Sequence, residues 1–487
     1  MESLLIKTLR KVKSYKILIC FSLLLFCLLL SLAVILPLSF DDAVFMKTAK
    51  NLSKSGLYAY DSLFDPIVTT GFPVILPTAI VYRVLPNNII GARIVSVTYF
   101  MLLMALVYRV TRQYGFTKKD SFKVLILTIF ICLFTIPNFI ITSLGLYGEV
   151  PAVGFFLSSL IFLKAYLKTK QFQFLLLCGM FVGLAFSTKY IMFFAFPAVI
   201  VALVFANLKA GKKTLTISLL ILLIGIIVPE AVFRLYHYLT VGEARFMEDL
   251  KQLSLYYQNL NSLTNLESST SSIFLDHLLS LKEQGISPLA PITYFFLACV
   301  SLVYSIRHRK HTLTAMVIFV ILIYFRWLFF THNTLMRHLF TGMFVFNVIF
   351  SAFIISYGKN ILEGRNKAKL ITIITFLIAI FMTQASLRVF LNYNVKIHVY
   401  RKMSQEQKRI ADFIRSQNNA DFYHLPWYLA PEYSLLADKS FKTYFPTSKP
   451  DTLKNNFLIL TPKALKLRTC YPNKIVFSSY NFLICKL

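Results

Sequence analysis

Two adjacent carboxylates, Asp41 and Asp42, stand directly after the first long apolar run of the chain, in the sequence SFDDAVF. A carboxylate fixed there can act as a general base, because it can accept a proton from a hydroxyl group that approaches along the same surface. The structural alternative is a pair of solvated acids that ends a helix. The residues alone leave both interpretations open.

Two further charged residues stand at the ends of apolar runs. Glu149, in LYGEVP, is either a functional acid or an acid at a helix N-terminus, where the helix dipole favours it. Lys189, in GLAFSTKY, either extends its ammonium towards lipid headgroups or binds a phosphate group.

Arg337 and His338, in THNTLMRHLF, begin a late apolar run and place a second cation beside such a group. Arginine suits a phosphate because its planar guanidinium can hold two oxygens at once. The sequence thus offers Asp41, Asp42 and Glu149 for proton transfer and substrate orientation. It offers Lys189, Arg337 and His338 for binding an anion.

The composition places these residues in a membrane protein. Of 487 residues, 57% are hydrophobic, and the mean hydropathy is +0.66. No soluble core of this size could bury so much apolar surface. The net charge of +30 comes from basic clusters between the apolar runs, so it indicates membrane topology and disfavours nucleic-acid binding.

About eleven apolar runs are long enough to cross a bilayer as helices. They lie near residues 17–38, 89–108, 124–141, 150–166, 172–187, 190–206, 214–232, 288–305, 312–330, 336–357 and 370–388. The first run follows basic residues but is too long for a signal peptide and is followed by further spans, so we expect an uncleaved helix. The expected fold class is an all-α polytopic membrane protein with about eleven transmembrane helices.

With the N-terminus in the cytoplasm, the main basic clusters all fall on the cytoplasmic side, as the positive-inside rule requires. The large segments 39–88, 233–287 and 389–487 then lie outside. We expect residues 1–388 to form the transmembrane domain. Residues 389–487, with one helical stretch followed by strand-like pieces, are expected to form a small extracytoplasmic α/β domain.

Two cysteines, Cys470 and Cys485, fall in this outer tail. If the compartment is oxidising, they are reasonable disulfide partners, and two free thiols in a strand-rich core are an equal alternative. The chain has no glycine-rich phosphate loop, no H-E-x-x-H and no G-x-S-x-G. Nucleotide-sugar chemistry is disfavoured too, because such a donor arrives from the cytoplasm while the acids lie outside.

The charged positions lie in blocks that resemble GT-C integral-membrane glycosyltransferases, in the branch of dolichyl-phosphate-mannose protein mannosyltransferases and bacterial aminoarabinose lipid A transferases. In chain order the blocks are SFDDAVFMKTAKNLSKSGLYAY, TTGFPVILPTAIVYRVLPNNIIGARIVS, GEVPAVGFF, LCGMFVGLAFSTKY and LMRHLF. They cover most of residues 39–206 and a short stretch near residue 337. Their order and spacing make the combination specific, whereas the tail matches only as an outer domain.

The resemblance implies an inverting transfer of a hexose or pentose from a polyprenyl-phosphate carrier to a lipid, glycan or protein acceptor. It places this reaction on the non-cytoplasmic face, with the bacterial plasma membrane as the expected location. Asp41 would take the acceptor proton, and Lys189 and Arg337 would hold the phosphate. Glu149 would orient the acceptor or a divalent ion, since some GT-C enzymes use a metal and others do not.

The sequence departs from the family at Asp42, where Glu is frequent, and at His338, where Tyr is frequent. The second departure leaves the role of Arg337 open. A transporter or lipid-linked-glycan flippase is the competing class, although such proteins place ionisable groups at mid-membrane and show repeated halves. A glycan polymerase or ligase would use the same carrier but rely on outer Arg and His residues.

Overall fold

The computed structural model describes most of the helical part of the chain and short segments of its tail. The described residues are 22–58, 71–85, 89–208, 211–251, 275, 279, 289–330, 339–362, 397–417, 422–424, 435–437, 442–443, 457–460, 475–478 and 483–486. Within them, every strand lies in the tail, and helices dominate the rest.

The main helices follow one another with short connections. They are α1 (Ser22–Ile35), α2 (Phe40–Ser55), α3 (Phe72–Val84), α4 (Ile89–Gln113), α5 (Lys118–Thr135), α6 (Phe139–Leu144), α7 (Glu149–Thr169), α8 (Phe172–Thr188), α9 (Ala195–Asn207), α10 (Lys212–Val241), α11 (Leu289–Arg307), α12 (His311–Phe330), α13 (Phe340–Leu362) and α14 (Ile397–Ser416). A 3₁₀ helix, Tyr190–Phe194, connects α8 to α9.

The expected helical membrane architecture is confirmed in outline. Five segments are long and apolar enough to cross a membrane by length and composition, namely Ile89–Gln113, Glu149–Thr169, Tyr190–Asn207, Lys212–Val241 and His311–Phe329. Shorter apolar helices coincide with most other predicted runs, but the run at 370–388 lies outside the described residues. The number of eleven spans therefore stays a prediction.

The acid pair opens a helix instead of ending one. Ser39 caps α2, because its side chain accepts a hydrogen bond from the backbone N–H of Asp42 at 3.2 Å. Asp41 and Asp42 therefore occupy the first turn of α2, where the helix dipole favours negative charge. The break between α1 and α2 thus fixes where both carboxylates leave the backbone.

The segment that follows contains the expected short apolar helix, α3. Gly71 precedes it with φ of 101°, a left-handed conformation that glycine adopts readily. The backbone N–H of Gly71 donates to the carbonyl oxygen of Ser187 at 2.8 Å. This bond ties the start of α3 to the last turn of α8.

Helices α8 and α10 are in direct backbone contact. A Cβ atom on Gly179 would lie 2.4 Å from the carbonyl oxygen of Leu222, and one on Gly183 would lie 2.4 Å from that of Ile226. Gly179 and Gly183 form a G-x-x-x-G pair, the spacing that lets two helices approach closely in a membrane. α10 also continues to Val241, past residue 232 where its apolar run was expected to end.

The tail contains α14 and one five-stranded sheet. The strands are β1 (Phe422–His424), β2 (Lys442–Thr443), β3 (Phe457–Leu460), β4 (Ile475–Ser478) and β5 (Leu483–Lys486). Their order is β2-β1-β3-β5-β4; β1 pairs in parallel with β2 and β3, and β5 pairs antiparallel with β3 and β4.

The tail contacts the helical part through α14. Leu38 donates its backbone N–H to Gln407 Oε1 at 2.9 Å, and Gln407 Nε2 donates back to the Leu38 carbonyl at 2.7 Å. A separate domain that begins at residue 389 stays a prediction. Cys485 lies in β5, whereas Cys470 lies outside the described residues, so the disulfide also stays a prediction.

Candidate active site

Three predicted site residues meet in space although they are far apart in the sequence. The Lys189 Nζ atom lies 3.3 Å from Glu149 Oε1 and 3.8 Å from Asp41 Oδ2. The side chain of Asp41 is 25% exposed, that of Lys189 17% and that of Glu149 7%. A cation therefore lies between two carboxylates in a partly buried site, and Asp41 is the most accessible of the three.

Each of the three residues stands at the end of a helix. Asp41 lies in the first turn of α2, Glu149 is the first residue of α7, and Lys189 follows the last residue of α8. Lys189 is extended, with φ of −149° and ψ of 125°, so its side chain leaves the axis of α8. Three helix ends thus place two acids and one amine at one level.

Gly148 makes room for the contact between Lys189 and Glu149. Its φ of 85° is left-handed, and a Cβ atom there would lie 3.2 Å from Lys189 Cε. A side chain would therefore be strained by its backbone conformation and would press on the lysine. The glycine lets the start of α7 approach the end of α8.

Asp42 points away from this site and is fully buried. Its two oxygens accept hydrogen bonds from Arg93 Nη1 and Nη2, each at 3.2 Å. Asp42 Oδ1 also accepts from the backbone N–H of Leu146. Because both oxygens are occupied and neither side chain is exposed, the geometry favours a structural role for Asp42 over the predicted catalytic one.

Arg93 joins α4 to two other segments as well. Its Nη1 donates to the Leu144 carbonyl at 3.4 Å, and its Nη2 reaches the Pro37 carbonyl at 3.5 Å. The pair with Asp42 therefore fixes the first turn of α2 against α4 and the end of α6. Asp41, one residue earlier, is held at the surface of the same turn.

The stretch of chain that contains Arg93, Glu149 and Lys189 matches a known family. Residues 74–233 match the family model of dolichyl-phosphate-mannose-protein mannosyltransferases. Asp41 lies before the matched stretch. No curated protein matches the chain in a sequence comparison.

The fold is similar to crystal structures of ArnT from Cupriavidus metallidurans. The apo state superposes with a TM-score of 0.59 and 12% identity, covering 97% of this chain and 98% of ArnT. The form bound to undecaprenyl phosphate gives 0.54 and 11%, covering 96% and 97%. The fold is that of ArnT. The resemblance to GT-C glycosyltransferases is thereby confirmed, and the chain is an integral membrane protein.

Two predicted residues of the GT-C site, Arg337 and His338, lie outside the described residues. α13 begins at Phe340, just after them, close to the expected start of that run. Their part in binding an anion therefore stays a prediction. Of the six candidates, the structure brings together Asp41, Glu149 and Lys189.

The sequence interpretation missed three charged or polar residues that the GT-C fold brings near the site. They are Arg93 in α4 and the pair Glu230 and Arg234 in α10. Arg93 and Glu230 each lie inside an apolar run, at 89–108 and 214–232. An ionisable residue in such a run is itself a sign of a specific partner, and this signal could have identified both.

The described residues do not form a divalent metal site. Among them, no group of three or more His, Cys, Asp or Glu residues is placed to hold a metal ion. Where Asp41 and Glu149 approach each other, the Lys189 ammonium occupies the space between their carboxylates. In this part of the chain, the lysine supplies the positive charge.

A cavity of about 580 Å³ lies at the other end of α4. Its wall is mostly apolar and includes Tyr114, Val300, Met316 and Phe350, and none of the six candidate residues lines it. Tyr114 is 21 positions beyond Arg93, which is roughly 30 Å at 1.5 Å per helical residue. The volume of this cavity therefore does not identify the active site.

Proposed function

We propose that the protein is a glycosyltransferase that moves a hexose or pentose from a polyprenyl-phosphate carrier to a lipid, glycan or protein acceptor. The main support is the contact of Lys189 with Asp41 and Glu149 at the helix ends of an ArnT-like bundle. An accessible carboxylate beside a fixed cation is the arrangement that such a transfer needs. The family match over residues 74–233 supports the same reaction class.

The proposed reaction is a single displacement with inversion. The acceptor hydroxyl oxygen attacks the anomeric carbon while the bond from that carbon to the phosphate oxygen breaks. The bonding electrons leave with the carrier phosphate, and the hydroxyl proton passes to an Asp41 carboxylate oxygen. Glu149, nine-tenths buried beside the lysine, orients the acceptor.

Lys189 offsets the charge that develops on the departing phosphate. Its ammonium has three N–H donors, so it can contact both carboxylates and still donate to a phosphate oxygen. Arg337 is proposed as the second phosphate ligand, with His338 beside it. Support for this carrier comes from ArnT, whose similar fold has been crystallised with undecaprenyl phosphate.

We place the reaction on the non-cytoplasmic face, with the N-terminus in the cytoplasm and the C-terminus outside. The support is the distribution of basic clusters, which all fall on one side of the predicted topology. A bacterial plasma membrane is the proposed location. Membrane lipids would surround the bundle and present the lipid-linked donor to the site.

A transporter or flippase is the alternative function. Transport proteins use ionisable groups near the middle of the membrane. Here Asp41, Glu149 and Lys189 all stand at helix ends, and this placement favours a reaction at the membrane surface.

The test is sugar transfer by purified protein in liposomes that contain undecaprenyl-phosphate-linked hexoses or pentoses. The wild type should consume at least one donor, and Lys189→Ala should weaken donor binding far more than acceptor binding. Lys402→Ala, which changes an exposed lysine of α14, is the control. A wild type that consumes no donor and binds no undecaprenyl phosphate would favour the transport alternative.

A further inference from the structure

We infer that Glu230 and Arg234 of α10 are positioning residues that fix Lys189 from the side opposite its carboxylate partners. They do so by holding Ser187 and Tyr190, which flank Lys189 in the chain. The expected effect on the lipid phosphate rests on the proposed function. The effect on Lys189 itself does not.

The contacts form a chain of three short hydrogen bonds. Ser187 Oγ donates to Glu230 Oε2 at 2.7 Å, Arg234 Nε donates to Glu230 Oε1 at 2.9 Å, and Arg234 Nη2 donates to the Tyr190 hydroxyl at 2.8 Å. The two α10 residues are one turn apart, so together they contact residues on both sides of Lys189.

The close packing of α8 and α10 makes these contacts possible. Gly179, Gly183 and Ser187 follow one another at four-residue intervals on α8, so they share one face of the helix. The two glycines are the residues that bring the backbones together. Ser187 continues the same face by one turn, and Glu230 is the α10 residue that it meets.

This anchoring matters because Lys189 lies at a break in the helix. α8 ends at Thr188, Lys189 is extended, and a 3₁₀ helix starts at Tyr190. The direction of the lysine side chain therefore depends on how residues 187 and 190 are held. On its other side, the carbonyl of Ser187 accepts the hydrogen bond from Gly71.

The charges of Glu230 and Arg234 balance each other. Their side chains are 23% and 24% exposed and form an ion pair within one helix. Burial raises the pKa of nearby Tyr58 well above its ordinary value, while Arg234 opposes this shift and Glu230 and Tyr190 add to it. Tyr58 stays neutral, so the cluster adds no net charge beside Lys189 and acts on it through geometry.

The test removes the two links to α10 and leaves its ion pair intact. The double variant Ser187→Ala/Tyr190→Phe deletes one hydroxyl on each side of Lys189. The matched control, Ser218→Ala/Tyr236→Phe, deletes one serine and one tyrosine hydroxyl on α10 itself, where they bond to Tyr166 and Gly56. Both variants are compared in the full chain in detergent.

Two measurements separate positioning from a general loss of structure. The first is the rate at which an amine-reactive reagent acylates Lys189, followed by mass spectrometry. The second is the affinity for undecaprenyl phosphate. We expect acylation several times faster and binding about tenfold weaker in the Ser187/Tyr190 variant, since one charge-assisted hydrogen bond contributes about that factor or more. The control should match the wild type in both.

Equal acylation of Lys189 in the Ser187/Tyr190 variant and the control would overturn the inference, whatever the affinity. If the wild type binds no undecaprenyl phosphate, the proposed function fails, and the acylation rates still decide whether Lys189 is held by α10. Ser187→Thr/Tyr190→Phe keeps the hydroxyl that contacts Glu230. It should recover part of the wild-type protection of Lys189, and no recovery would contradict the role of Glu230.

Discussion

Arg93 and Asp42 form a two-pronged ion pair, with both hydrogen bonds at 3.2 Å and both side chains shielded from solvent. The pair joins α4 to the first turn of α2, which also carries Asp41. One of two adjacent carboxylates is thus used to fix the helix, and the other is left at the surface of the site.

Asp42→Asn should destabilise the protein strongly. Removing one charge of a buried pair typically costs about 3–5 kcal/mol, because the remaining charge stays buried without its partner. Thermal unfolding in detergent should show a clearly lowered midpoint.

The control for this change is Asp412→Asn, which breaks an exposed pair with Arg415 on α14. Exposed pairs contribute about 0–1 kcal/mol, so this variant should unfold close to the wild type. Similar midpoints for Asp42→Asn and Asp412→Asn would contradict a structural role for Asp42.

Gly148→Ala should disturb Lys189 as well as the backbone. A non-glycine residue in a left-handed conformation costs roughly 1–2 kcal/mol, and here the added methyl group would also lie 3.2 Å from Lys189 Cε. We expect a lower unfolding midpoint together with weaker binding of undecaprenyl phosphate.

Gly115→Ala separates the two effects. Gly115 has a similar φ of 89°, but a Cβ atom there would meet nothing within 4 Å. It should show the loss of stability without the loss of binding. Equal binding by both variants would mean that the Gly148 contact does not set the position of Lys189.

Gly183→Ala should weaken the contact between α8 and α10. The new methyl group would lie 2.4 Å from the Ile226 carbonyl oxygen, and forcing an extra methyl into a packed contact typically costs about 1–3 kcal/mol. The measurement is the unfolding midpoint, combined with acylation of Lys189, which should become faster as Ser187 moves away from Glu230.

Gly154→Ala on α7 is the matched control. Its Cβ atom would lie 3.6 Å from Leu106 Cδ1, an ordinary contact, so the variant should unfold like the wild type. A Gly183→Ala protein with an unchanged midpoint and unchanged acylation would show that α8 and α10 can separate without consequence.

The sequence could predict that Asp41, Glu149 and Lys189 lie at one level because each stands at an end of an apolar run, and helices of similar length bring such ends together. It could not separate Asp41 from Asp42. Their difference comes from Arg93, on another helix, and no local pattern shows which of two adjacent acids a distant arginine will contact.

The contact of α10 with Lys189 was also beyond local pattern. Glu230 was visible as an acid within an apolar run, but its partner Ser187 depends on the glycine packing that sets the distance between two helices. The start of α2 at Phe40 was missed for a related reason, since an apolar run fixes where a helix crosses the membrane but not where the next helix begins.

Asp41→Asn tests the proposed catalytic base. Asparagine keeps the size and most of the hydrogen bonding of aspartate, but it cannot accept a proton at working pH. General-base assistance typically contributes on the order of 10² to 10⁴ in rate, so sugar transfer should fall by about that factor. Binding of the polyprenyl-phosphate donor and the unfolding midpoint should stay near those of the wild type, in contrast to Asp42→Asn.

The comparison of rate with binding decides the role of Asp41, because a residue that acts only in the transition state lowers kcat and leaves ground-state binding unchanged. Asp412→Asn serves again as the control for the same chemical change on an exposed residue. Near-normal transfer by Asp41→Asn would remove it as the base. Glu149, which shares Lys189 as a partner at 3.3 Å, would then be the carboxylate to test, since both oxygens of Asp42 are held by Arg93.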